Sequence, residues 1–268
     1  PKVLGVKLEG KLNDWVAAKD VILKLLSILT TRGNVGWAVE YFGKGVSELT
    51  VPQRATITNM GAELGVTTSI FCSDEQTRRF LAAQKREKGY FACGELSADP
   101  DAEYDRIIEI NLAELQPMAA CPSSPDNVKT VAEIAGIQTG QILIGSCNNS
   151  GFADLMMVAK VLKGRGINNM VEFAIAPGSR EVLNMLAEDG ALSDIISAGA
   201  RILETGCGPC IGQGLSPADG MVSLRTFNRN FPGRSGTTGD QVYLVSPETA
   251  VASILTGQIT DPRDLPKF

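Results

Sequence analysis

The sequence predicts an α/β fold of two domains built around mostly parallel sheets, and three observations carry that expectation. From Gln141 onward, short β-branched runs alternate with amphipathic helical stretches, the pattern of parallel strands joined by covering helices. A stretch rich in Pro and Ser between Leu115 and Asn127 separates two halves, each long enough to bury a core of its own. A balance of 44% hydrophobic to 21% charged residues is ordinary for a globular chain, and no apolar run approaches the ~20 residues of a membrane span.

Taken in order, Val21 to Leu29 is too densely apolar for an exposed helix, so it predicts a mostly buried one with Asp20 near its N-cap and a stop before Gly33. Trp37 to Phe42 reads as a strand, Ser73 to Lys88 as a charged surface helix, Ser97 to Asp101 as a turn, and Ile107 to Ile110 as a short strand. Pro117, Pro122, Ser123, Ser124 and Pro125 suit a linker with little regular structure, which puts the domain boundary there: 1–120 and 121–268. The second domain alternates strand Gln141 to Ile144, helix Asp154 to Lys163, strand Val171 to Ile175, helix Ser179 to Glu188 and strand Arg201 to Glu204. Strands near Val222 to Phe227 and Val242 to Val245 follow, then a helix with Pro247 in its first turn.

Charge and composition narrow the function. A net charge of -5 is the wrong sign for a dedicated nucleic-acid binder and points to a small ligand. The chain has 0 histidines, so the commonest general acid–base and metal ligand is missing, and chemistry must rest on Cys, carboxylates, Arg, Asn or an inorganic group. The 6 cysteines sit in a chain too large to need disulfide staples. That implies a reducing compartment, the cytoplasm or the mitochondrial matrix, with thiols kept for metal. The start at Pro1-Lys2-Val3, without Met or leader, reads as trimmed, and Asp261 to Pro266 reads as a linker into a further domain.

Three of the cysteines stand in Gly-rich loops after predicted parallel strands. Ile142-Leu143-Ile144 runs into Gly145-Ser146-Cys147-Asn148-Asn149-Ser150, and Arg201 to Glu204 runs toward Gly206-Cys207-Gly208-Pro209-Cys210-Ile211-Gly212. Ligands bind outside the carboxyl ends of such strands, so both loops should meet on one edge of one sheet. Three thiolates are one short of a closed Cys₄ site. A 4Fe–4S cluster would be tied through three irons, leaving a fourth as a Lewis acid. The alternative is a zinc knuckle or a thioredoxin-like redox pair, with Cys147 a core residue. The Gly208-Pro209 insert and the following Gly212 and Gly214 argue against a redox pair opening a helix. Cys72, Cys93 and Cys121 lack such surroundings and are set aside.

At these loops the sequence resembles the aconitase superfamily, whose cluster loops read Gly-Ser-Cys-Thr-Asn-Ser and Cys-Gly-Pro-Cys-Ile-Gly. Similar matches occur at Asn59-Met60-Gly61-Ala62-Glu63, Pro177-Gly178-Ser179, Asn228 to Arg234 and Ser246-Pro247-Glu248. The resemblance covers essentially the whole chain. It implies two aconitase-like three-layer α/β domains and a reversible dehydration of a tri- or dicarboxylic hydroxy acid, citrate to isocitrate, in the tricarboxylic acid cycle. It also implies a 4Fe–4S cluster on Cys147, Cys207 and Cys210. Asn59 and Glu63 match polar groups beside the bound water and hydroxyl, Asn228 an asparagine next to the cluster, and Arg229 and Arg234 arginines at cluster and substrate. A guanidinium can grip a carboxylate with two parallel hydrogen bonds, which suits the arginines independently.

The departures are Asn148, where the family has Thr, and Gly151-Phe152-Ala153-Asp154 in place of a Ser-Tyr-Glu-Asp-like run. The family's first domain, with its Asp and His acid–base groups, and its swivelling last domain, with a serine base and further arginines, are implied as missing partners. The chain alone is therefore expected to bind a cluster without turning over. Homoaconitase and isopropylmalate isomerase are the alternatives within enzymes, with Gly208-Pro209 favouring the aconitase and homoaconitase branch. A non-catalytic, iron-sensing RNA binder is the alternative from another class, and the acidity opposes it.

Overall fold

A computed structural model describes residues 1–93 and 96–265, without the side chains of Ala92 and Cys93. Expectations on the Cys93 side chain and on Pro266 fall outside the described residues. The first part runs β1 (Lys2–Glu9), α1 (Ala18–Leu29), β2 (Trp37–Phe42), α2 (Val51–Gly61), β3 (Thr68–Phe71), α3 (Glu75–Ala83), α4 (Glu87–Cys93) and β4 (Arg106–Asn111). Its four strands form a parallel sheet in the order β3-β2-β1-β4. The second part runs β5 (Met118–Ala120), β6 (Val128–Thr130), α5 (Val131–Ile134), β7 (Gln141–Gly145), α6 (Phe152–Leu162), β8 (Glu172–Ala176), α7 (Arg180–Asp189), α8 (Ala191–Ala198), β9 (Arg201–Ile202), β10 (Val222–Arg225), β11 (Gln241–Val245) and α9 (Pro247–Thr256). Seven strands line up as β6-β5-β11-β10-β7-β8-β9, with β11 through β9 parallel and β5 and β6 added antiparallel at one side. The α/β fold with mostly parallel sheets is thus present.

Helix α1 holds the two sheets together. Ile22, Leu23, Leu25 and Leu26 have no exposed surface, and they share one buried cluster with Leu4, Val6 and Leu8 of β1, with Leu143 and Leu244 of the second sheet and with Phe227 just after β10. A helix apolar on nearly every side is stable only when covered this way, at roughly 1.5–3 kcal/mol for each large side chain removed from water. Its first turn carries two buried ionisable side chains that tie the halves through hydrogen bonds. Asp20 accepts from the Met118 backbone N–H at 2.8 Å, and Lys19 Nζ donates to the carbonyls of Thr226 and Phe227 at 2.7 Å each.

Several expectations are corrected. Asp20 is the third residue of α1 and not its cap; it reaches back 2.7 Å to the N–H of Ala17, which holds the cap position. The predicted helix from Ser73 to Lys88 is two helices, broken where Lys85 takes a positive φ of 59°. Asp74 caps the first by accepting from the N–H groups of Gln76 and Thr77. The proposed linker contains β5, whose three residues are all buried beside β11, so the prolines flank a strand that the second sheet needs. Residues 262–264 form a short 3₁₀ turn, and its first residue, Pro262, is buried. Strands β1, β3 and β6 and helices α2, α5 and α8 were not anticipated. No described helix is long and apolar enough to cross a membrane.

Candidate active site

The carboxyl ends of β7, β8 and β9 open on one side of the second sheet, and the loops that follow them build the site. Strand β7 is buried at every residue and ends at Gly145, whose φ of 128° lets the chain turn against the end of β8. A methyl group there would sit 2.0 Å from the Ala176 carbonyl oxygen, so only Gly permits the turn. Ser146 follows, also at positive φ, with its N–H donated to that same carbonyl at 2.8 Å. Cys147 is thereby delivered to the surface, exposed, at the mouth of the sheet.

The second loop is a 3₁₀ turn over Gly208–Ile211 closed by Gly212 in the left-handed region. A Cβ on Gly212 would meet the Ser235 carbonyl at 2.3 Å, which presses this loop against the segment that carries Arg234. Cys207 is exposed and Cys210 half-buried. Burial pushes the Cys210 thiol up, against a Ser146 hydroxyl whose Oγ lies 3.0 Å from Cys210 Sγ. That contact joins the two cysteine loops directly.

All eight residues singled out from the sequence, Asn59, Glu63, Cys147, Cys207, Cys210, Asn228, Arg229 and Arg234, line one cavity of about 280 Å³, together with Ala62 and Phe227. They come from both halves: Asn59 from the last turn of α2, Glu63 from the 3₁₀ turn after it, and Asn228 to Arg234 from the loop after β10. Asn228 Nδ2 donates to Asn59 Oδ1 at 2.5 Å, while Arg229 Nε donates to Glu63 Oε1 at 2.8 Å. Glu63 is almost buried and Arg229 about half exposed, so the carboxylate acts as a fixed anchor that orients the guanidinium. Arg234 has a buried Nε without a hydrogen-bond partner among the described residues. Inside the wall, burial drives the Lys19 ammonium down from its usual range, with the cysteines and nearby carboxylates opposing the shift.

The departure at Asn148 acquires a role. Its side chain is buried, Nδ2 donates to Asn228 Oδ1 at 2.9 Å and to the Thr56 carbonyl at 3.3 Å, and Oδ1 accepts from the Asn149 N–H. The amide therefore links the first cysteine loop to Asn228 and to α2. Sequence reasoning gave no role to Ser146, Lys19 or Arg225. The signal for Arg225 was a charged residue inside a predicted strand and for Ser146 its place in the first cysteine loop; Lys19 left none beyond its neighbours.

The aconitase family model (aconitate hydratase) matches residues 1–138 and 128–257. The 3-isopropylmalate dehydratase large subunit 2 of Archaeoglobus fulgidus is 41% identical over 98% of this chain and 63% of that protein. The large subunit 1 of the same enzyme from Methanopyrus kandleri is 39% identical over 98% of this chain and 62% of that protein. The mitochondrial homocitrate dehydratase of Saccharomyces cerevisiae is 39% identical, with 99% of this chain matched to 38% of that protein. The chain thus spans less than two thirds of the curated relatives it matches. These names overturn the expected citrate–isocitrate reaction and its place in the tricarboxylic acid cycle. The Gly208-Pro209 insert, which pointed to the aconitase and homoaconitase branch, shapes a cysteine loop and does not single out citrate against similarity over the whole chain. With a family match running through both halves and relatives about 40% identical along nearly the whole chain, the chain belongs to the aconitase family.

Proposed function

We propose that this chain carries the cluster-bearing part of a hydro-lyase that dehydrates and rehydrates 3-isopropylmalate, with a 4Fe–4S cluster held by Cys147, Cys207 and Cys210. The observation that carries the reading is the convergence of three cysteines and two arginines in one cavity of a protein without histidine. The residues fit such a group. Three thiol side chains, Cys147 and Cys207 exposed and Cys210 half-buried, line one cavity, and a set of three sulfur donors with no histidine suits an iron–sulfur group.

When bound, such a cluster supplies a Lewis-acidic iron, free of protein thiolate, to the hydroxyl that leaves. The chain's own residues do the rest of the positioning. Arg234 offers a two-pronged grip for a substrate carboxylate, and Arg229, oriented by Glu63, offers a second cation at the cavity mouth. Asn59 and Asn228, already hydrogen-bonded to each other, present amides toward the same space. We assign the general acid and base to parts of the enzyme outside this chain. We also propose a second subunit as partner, since the relatives from Archaeoglobus fulgidus and Methanopyrus kandleri are named as large subunits.

The test is anaerobic loading of the full-length protein with iron and sulfide, together with its partner subunit, followed by ultraviolet assay of the unsaturated product. The reading requires turnover of 3-isopropylmalate. Turnover of homocitrate alone, or a loaded cluster with neither activity, would overturn the substrate assignment.

A further inference from the structure

Among the described residues Arg225 is the largest side chain with essentially no exposed surface. It lies at the end of β10, directly beneath the second cysteine loop. Its Nε donates to Ser223 Oγ at 3.1 Å, Nη1 to the Pro209 carbonyl at 2.8 Å, and Nη2 to Gln141 Oε1 and the Leu215 carbonyl, both at 2.8 Å. Pro209 stands between the two cysteines of that loop and Leu215 just beyond it, so a single planar group pins the loop at two points. The guanidinium also lies 5.6 Å from the ring centroid of Phe227, which lines the cavity.

The charge has no direct counter-ion. Among the described residues no carboxylate oxygen forms an ion pair with Arg225. Glu172 is engaged by Arg201 and Gln141 instead, and Asp240 lies nearby without contact. A buried cation without an anion is costly, and fold stability alone does not favour keeping one where an apolar residue would pack.

We infer that Arg225 is a positioning residue for the cluster, clamping the Cys207–Cys210 loop by two carbonyls and placing a fixed positive charge beneath an anionic thiolate-ligated group. The inference rests on the cluster reading above. Its logic is electrostatic: one-electron reduction adds a negative charge to the cluster, and a buried cation a short distance away stabilises that reduced state.

The experiment compares the full-length protein with its Arg225→Lys and Arg225→Gln variants, each loaded anaerobically with iron and sulfide. The readouts are the midpoint potential by spectroscopic titration, the rate of iron loss to a chelator, and far-ultraviolet circular dichroism for the fold. Arg225→Gln should lower the potential and speed iron loss about tenfold, the factor expected from losing one net hydrogen-bond contribution. Arg225→Lys should keep the potential near wild type yet speed iron loss, because one ammonium cannot hold both carbonyls in the guanidinium geometry. A wild-type protein that loads no cluster sinks the cluster reading itself. A loaded Arg225→Gln variant with unchanged potential and unchanged iron loss sinks this inference alone. Should that variant fail to fold, Arg225→Lys decides: wild-type iron loss refutes the clamp, and a lowered potential refutes the charge role.

Discussion

Replacing Gly145 by Ala would test how far the backbone, and not the thiols alone, sets the site. The new methyl would lie 2.0 Å from the Ala176 carbonyl oxygen and 2.9 Å from the Ala176 nitrogen, inside contacts that no Cβ makes. The φ of 128° is itself unfavourable for an L side chain. Strain at a position that favours Gly costs roughly 1–3 kcal/mol, and overpacking a closed interior adds about 1–3 more, so the variant should lose about 2–6 kcal/mol. At about 2–4 °C per kcal/mol for a chain of this size, the midpoint of thermal unfolding should fall by roughly 5–20 °C. Relief can come only by parting the end of β7 from β8, which carries Ser146 and Cys147 away from Cys210. Cluster loading should therefore fall even at temperatures where the variant remains folded. Unfolding curves by circular dichroism, paired with iron and sulfide content after anaerobic loading, provide the measurement. A variant that melts with wild type and loads fully would show that the turn at Gly145 has room the structure does not show, and the argument would fail.

Three other outcomes follow from individual contacts. Arg234→Lys in the full-length enzyme keeps the charge and loses the two-pronged geometry, so kcat/KM should fall about 10- to 100-fold, with cluster content and Tm nearly unchanged; early unfolding with normal kinetics per cluster would make Arg234 structural. Asn148→Thr removes the amide link to Asn228 and to Thr56, and should cost about 1 kcal/mol in denaturant unfolding while the cluster still loads, since no ligand is touched; loss of loading would mean that Asn148 supports the cysteines directly. Burial, aided by Asp154, raises the Glu248 carboxyl to about 7. Its stabilising contribution is then complete below the unfolded carboxylate range and lost as pH rises through about 7. Glu248→Gln should accordingly raise the unfolding free energy at pH 8 by roughly 1–3 kcal/mol, seen as a higher Tm, and leave both unchanged near pH 4; equal curves at both pH values would remove Glu248 as the source.

The second half was legible because β7, β8 and the helices between them have clean periodicities, and each cysteine loop follows an apolar run. The first half was read less well for physical reasons. Strand β1 alternates Leu4, Val6 and Leu8 inward, but its small and charged partners dilute the pattern. Helix α2 is nearly balanced between apolar and polar residues, and depends on contact with α1 and β3 more than on its own amphipathicity. The short β5 was hidden by flanking prolines, because what makes it a strand is a neighbour more than 100 residues away. The site residues were found through motif order, and the cavity brings them all together. Their pairings, Asn59 with Asn228 and Glu63 with Arg229, cross from one half to the other. No local reading of sequence supplies such contacts. The citrate expectation failed because it rested on short cysteine loops common to the resemblance, while similarity along the whole chain runs to 3-isopropylmalate and homocitrate dehydratases.

The central claim is that Cys147, Cys207 and Cys210 together hold a 4Fe–4S cluster, and anaerobic loading of the full-length protein with iron and sulfide, followed by metal and sulfide analysis and visible spectroscopy, tests it most directly. The account predicts roughly four irons and four sulfides per chain with strong visible absorption. That signal should be lost when Cys147, Cys207 or Cys210 is replaced by Ser and retained when Cys72 or Cys121 is. Stoichiometric zinc without visible absorption, or a full cluster in the Cys207→Ser protein, would contradict it.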